Sequence, residues 1–124
     1  MRTFITVLNE FEGIHKYENA PDEVSFLRND HRHLFKIRSK IEVFHEDREL
    51  EFIMVKHLIQ GRINLELDEH DNIWYMNNLS CEQVALIVYN LLKQRYGSDR
   101  YISVEVSEDG ENSAIIEGEK NENN

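Results

Sequence analysis

One cysteine, one proline and five glycines are spread over 124 residues, and each scarcity removes a class of protein. Cys81 alone builds neither an intramolecular disulfide framework nor an all-thiolate metal site. So few glycines and the single Pro21 exclude collagenous and low-complexity chains. Positive charge is also short. Fourteen Lys and Arg against 24 Asp and Glu leave a formal charge of −10 and a pI near 5.0. That balance opposes polyanionic partners, so neither nucleic acid nor an anionic membrane is expected. No apolar run reaches spanning length, and the opening MRTFITVLNE has no signal-peptide hydrophobic region. A reducing cytoplasm is the expected compartment. What is present suffices for one core, with 40% hydrophobic and 10% aromatic residues. The expected organisation is a single domain over residues 1–117, followed by a polar, disordered tail over residues 118–124.

Period-two alternation marks a strand from Thr3 to Phe11 that continues by parity through Gly13 to His15. Lys16 to Asn29 is polar and without period, which predicts a long loop. A second strand is expected from His31 to His45, with His33, Phe35, Ile37, Ile41 and Val43 on one face. Apolar spacing between Arg48 and Gln60 predicts a short helix closed by Gly61. Residues 62–77 stay open: Ile63, Leu65 and Leu67 alternate like a strand, and Ile73-Trp74-Tyr75-Met76 is a β-prone cluster. A second helix over residues 81–96 is well marked, with Ser80 as N-cap, Gln83 completing a capping box and Gly97 as the stop. Strands at Tyr101–Ser107 and about Ser113–Glu117 form a hairpin around Asp109-Gly110-Glu111-Asn112. The order implies an α+β fold, an antiparallel sheet with helices on one face.

Six histidines against one cysteine mean that any metal site is built from imidazole and carboxylate. His31 and His33 stand two apart on a strand, about 6–7 Å along the backbone, so both rings project from one face. His15 shares the face of Val7 and Phe11 and is a candidate third ligand. Three imidazoles leave one tetrahedral position open, as in catalytic zinc sites. An HxH pair is also compatible with an ordinary solvated strand end. Glu108 follows Ile102, Val104 and Val106 by parity, which puts a carboxylate at the end of an apolar row.

These segments resemble a known family. Phe11-Glu-Gly-Ile-His15 followed by His31-Arg-His33-Leu-Phe-Lys-Ile is similar to the F-x-A-A-H and H-G-H-x-[YF]-x-[VL] signature of the 6-pyruvoyl-tetrahydropterin and 6-carboxytetrahydropterin synthases. Glu51-Phe-Ile-Met-Val-Lys56 resembles the family's D-F-x-x-L-K, and Leu67-Asp68-Glu-His70 its L-D-H. Asn78-Leu-Ser-Cys-Glu82 resembles N-P-T-x-E, and Val104-Glu-Val-Ser-Glu108 the V-x-V-x-E-T strand. The resemblance spans residues 4–116 and keeps the family's order.

It implies the tunnelling fold, ββααββ-like, with subunits closing into an oligomeric barrel. It also implies a homo-oligomer larger than a dimer, with a hexamer expected. On the matching positions His15, His31 and His33 are implied as zinc ligands and Glu108 as the anchor of a pterin or purine-like ring. His70, oriented by Asp68, is implied as the proton relay. The implied activity is that of a zinc-dependent carbon–oxygen lyase acting on a dihydropterin, in pterin or 7-deazaguanine (queuosine-type) biosynthesis. Two positions depart from the pattern. Arg32 replaces the glycine between the histidines, and Leu27 stands where the family has its cysteine, four residues before the first histidine of the pair. Leucine neither takes nor gives a proton, so the family's usual triad is not assembled from this sequence; Glu23 in the loop is a candidate substitute base, against the ordinary reading of a solvent-facing glutamate, and Cys81 is expected to be a packed thiol. The alternative is a non-catalytic protein that keeps the fold and binds or sequesters a pterin or purine-like ligand.

Overall fold

The computed structural model describes residues 1–120. Two long strands, β1 (Thr3–His15) and β2 (His31–Val43), form the centre of a six-stranded sheet. They pair antiparallel without interruption from Thr3 opposite Val43 to His15 opposite His31. Helix α1 (Phe52–Glu66), strands β3 (Asp68–His70) and β4 (Ile73–Asn77), helix α2 (Cys81–Tyr96) and strands β5 (Ile102–Glu108) and β6 (Asn112–Gly118) follow. The sheet order is β3-β4-β1-β2-β5-β6. It is mixed rather than wholly antiparallel, because β4 joins β1 parallel, with Gly13 opposite Trp74. A parallel neighbour needs a crossover, and α1 supplies it.

Both helices cover one face of the sheet. Val7, Phe11, Phe35, Ile37, Val104 and Val106 from the strands meet Val55, Ile59 and Ile63 of α1 and Val84, Val88 and Leu92 of α2. The buried strand residues are those that parity selects.

Several expected boundaries move, each for a local reason. Helix α1 starts at Phe52 because the Glu51 carboxylate accepts the backbone N–H groups of Ile53 and Met54, at 3.0–3.1 Å. It runs through Gly61 rather than ending there, since Val55, Ile59 and Ile63 carry the buried stripe beyond the glycine. The segment before α1 is held instead by Glu49. Its carboxylate takes the Phe44 N–H at 2.7 Å and pairs with the half-buried Arg100 at 3.0 Å. The open region 62–77 resolves into the end of α1 and the β3–β4 hairpin, whose two-residue turn, Asp71-Asn72, has positive φ at both positions. The expected loop from Lys16 to Asn29 contains a kinked 3-10 helix, Asp22–Arg28. Arg28 secures it by donating to the Ala20 carbonyl and to Asp22. The α2 capping box and the Gly97 stop lie where the sequence places them. Gly118 still pairs with Ile102 and is buried, so the expected tail begins after it. Its last residues, 121–124, lie outside those described. Among the described residues no helix is long and apolar enough to cross a membrane.

Candidate metal centre

Strand register assembles the site. His15 ends β1 directly opposite His31, the first residue of β2, and His33 follows on the same face. On the other side of β2, Glu108 pairs with Phe35, which brings the last residue of β5 beside His33. Ring centroids lie 4.5 Å apart for His15–His31, 5.2 Å for His31–His33 and 5.7 Å for His15–His33. Ligating atoms of the three histidines and Glu108 all fall within 4.8 Å of one another. His15 is buried, and the other three are half-buried.

Each ring is held from outside through Nδ1. The Nδ1–H of His15 donates to the Leu79 carbonyl at 2.9 Å and that of His31 to the Asn29 carbonyl at 2.9 Å. The Nδ1–H of His33 donates to Asp109 Oδ2 at 2.7 Å. A carbonyl or carboxylate offers no proton, so each neutral imidazole carries its hydrogen on Nδ1 and keeps its lone pair on Nε2.

The inner side of the cluster shows what that lone pair lacks. Nε2 of His15 is buried and makes no hydrogen bond, while Glu108 Oε2 stands 2.9 Å away and Glu108 Oε1 lies 3.9 Å from His33 Nε2. A nitrogen lone pair and a carboxylate oxygen repel at that separation unless a proton or a metal cation lies between them. Three imidazoles and a carboxylate are a donor set that zinc takes, so the residues present fit this metal.

A cavity of about 700 Å³ opens beside the cluster, lined by His15, His31, Glu108, Tyr17, Leu27 and the start of α2 among others. Leu27, where the family resemblance expects a cysteine, is thus a wall residue of the cavity. Cys81 lines it too, but burial pushes its thiol up to about 12, with the charges of Glu108 and Glu82 adding to the effect. It is a neutral thiol at physiological pH. Glu23, on the 3-10 helix, is exposed and does not line the cavity.

Asp68 and His70 occupy β3, at the sheet edge, and are exposed. They belong to neither the cluster nor the cavity wall, and no hydrogen bond joins them among the described residues. His70 instead sets its ring edge-on to Tyr75, 5.4 Å between centroids. The chain therefore brings His15, His31, His33 and Glu108 together and leaves Asp68 and His70 apart from them. Sequence reasoning placed Asp109 merely in a turn and missed its hydrogen bond to His33. The available signal was an Asp-Gly pair directly after Glu108, since aspartate tolerates the left-handed conformation that Asp109 adopts at φ 58°.

The sequence matches no protein-family model and no curated protein. Solved structures do match. A Plasmodium falciparum 6-pyruvoyl tetrahydropterin synthase aligns over 95% of this chain and 98% of its own, with a TM-score of 0.63 at 16% identity. This chain has the fold of the 6-pyruvoyl tetrahydropterin synthases. The Caenorhabditis elegans 6-pyruvoyl tetrahydropterin synthase gives a TM-score of 0.59 at 15% identity, covering 95% and 96% of the two chains. An uncharacterized protein from Wolinella succinogenes gives 0.69 at 14% identity, covering 98% and 99%. Near-complete coverage in both directions means that the tunnelling-fold path, from β1 to β6, is shared.

Proposed function

We propose that the protein is a zinc-dependent synthase of the 6-pyruvoyl or 6-carboxytetrahydropterin type, acting on a dihydropterin as a carbon–oxygen lyase in pterin or 7-deazaguanine biosynthesis. The observation that carries this reading is the orphaned Nε2 of His15 facing Glu108, within a cluster whose three imidazoles are all fixed from behind. His15, His31 and His33 would hold the metal. Zinc bound there supplies Lewis acidity toward an oxygen of the ligand's side chain. Glu108 lines the cavity, and its two oxygens, which face His15 and His33 at 2.9 and 3.9 Å, would suit the paired N–H groups of a 2-amino-4-oxo ring edge once turned from the imidazoles. Asp68 and His70 serve as the proton relay only if β3, exposed at the sheet edge, reaches the cavity of a neighbouring copy. A homo-oligomer larger than a dimer, such as a hexamer, provides that arrangement.

A second reading is favoured by one observation. With Leu27 in the wall, Cys81 neutral and Glu23 outside, none of the positions expected to supply the family's base does so, although Glu82 also lines the cavity. A protein that binds or sequesters a pterin without converting it would need no such base.

Calorimetric titration of the zinc-loaded protein with a pterin tests the shared part of both readings. Hydrogen bonds to a charged group contribute roughly 1.5–3 kcal/mol each, so Glu108→Gln should weaken binding about tenfold or more. Equal affinities, or no binding by either protein, would remove the pterin pocket. Chromatography of products from dihydroneopterin triphosphate then separates the synthase from the binding protein.

A further inference from the structure

Of the three oxygens that hold the imidazoles from behind, two are backbone carbonyls, those of Leu79 and Asn29. The third is the side chain of Asp109. It is the one outer partner that a substitution removes and the one that carries a full negative charge.

The carboxylate is held as firmly as the ring it holds. Oδ2 accepts from His33 Nδ1 at 2.7 Å, and Oδ1 accepts the backbone N–H of Leu34 at 2.8 Å. The Asp109 N–H in turn donates to the Leu34 carbonyl at 2.8 Å. Three hydrogen bonds thus tie this turn to β2 at His33 and the residue after it. The turn itself closes through the Glu111 N–H on the Glu108 carbonyl at 3.0 Å, with positive φ at Asp109 and Gly110, 58° and 74°. The same hairpin end therefore places Glu108 on the Nε2 side of His33 and Asp109 on its Nδ1 side.

We infer that Asp109 is a positioning residue for the metal centre: it fixes His33 as the Nδ1–H tautomer with Nε2 directed inward. A carboxylate behind a ligating imidazole raises its donor strength more than a neutral carbonyl does, and removing such a partner typically costs 10–100-fold in metal affinity. The inference rests on the three-histidine reading of the site and adds a residue that the sequence patterns did not single out.

Zinc affinity, measured by competition with a chromophoric chelator, is compared for wild type, Asp109→Ala and Asp109→Asn. Asparagine tolerates the left-handed conformation and keeps one acceptor oxygen, so it preserves the turn while losing the charge and one of the two bonds. The expected order is wild type tightest, Asp109→Asn weaker, and Asp109→Ala weaker by 10–100-fold. Long-range ¹H–¹⁵N spectra of the metal-free proteins supply a readout that a merely structural role would not move. His33 should be the Nδ1–H tautomer in wild type and a mixture in Asp109→Ala, with His15 and His31 unchanged. Zinc affinities within twofold of one another, or an unaltered His33 tautomer in both variants, would overturn the inference. A wild type that binds no zinc, yet shows the His33 change, would instead overturn the metal reading and leave the positioning of the ring established.

Discussion

The histidines converge because two strands are in register at their ends: His15 sits opposite His31, and parity returns His33 to the same face. That much was legible in the sequence, since a period of two needs only the strand assignment to be right. Glu108 was legible for the same reason. Asp109 was not, because its contact with His33 depends on a left-handed turn and on a strand pairing across 76 positions, neither of which local pattern reveals. Asp68 and His70 were selected by likeness to a motif, and the motif alone does not say which cavity an edge strand serves. Cys81 was expected to be a packed thiol, and its surroundings supply the cause: burial first, then the negative charges of Glu108 and Glu82. Alkylation tests this directly. At pH 8 the thiolate fraction of a group near 12 is on the order of 10⁻⁴, so iodoacetamide should label native Cys81 at least a hundredfold more slowly than the urea-unfolded chain. Comparable rates would show an accessible, ionisable thiol and contradict the packed-thiol reading.

Among the elements, α2 was read from its caps and α1 was misread from a glycine. The difference is physical. Ser80 and Gln83 satisfy each other's backbone groups, a local interaction that specifies a start, and Gly97 ends the helix with φ at 97°. Gly61 has ordinary helical neighbours, and a Cβ built on it meets nothing within 4 Å. It marks no boundary, because burial of Ile59 and Ile63 on either side outweighs its weak helix propensity. Gly13 is the opposite case. A Cβ there would lie 2.7 Å from Met76 Sδ and 2.8 Å from Phe35 Cδ2, so the close approach of β1 to its neighbours requires glycine. Urea unfolding should therefore show Gly61→Ala more stable by about 0.5–1 kcal/mol and Gly13→Ala less stable by about 1–3 kcal/mol from overpacking. Effects of the reverse sign would mean that the helix or the strand contact is wrongly placed. The short strands β3 and β4 stayed ambiguous because three and five residues give too little pattern, and their turn is set by positive φ at Asp71 and Asn72.

For the whole molecule, one covered sheet face and six strands leave β3 and β6 as edges, and exposed Phe52, Met54 and Ile115 add apolar surface outside the core. Unpaired edges and apolar patches of this kind are commonly covered by further subunits, which suits the proposed homo-oligomer. The α+β class followed from the order of periodic segments. The parallel β1–β4 pairing did not, because a crossover partner is chosen by packing across α1 rather than by any local signal. The central claim lies at one end of the β1–β2–β5 ladder: that three imidazoles and their outer oxygens form a zinc site. Elemental analysis of the purified protein after zinc loading and removal of free metal tests it most directly, with His33→Ala as the comparison. The account predicts about one zinc per chain in wild type and loss of most of it in the variant, since one ligand in three is gone. Equal zinc in both proteins, or none in either, would contradict it.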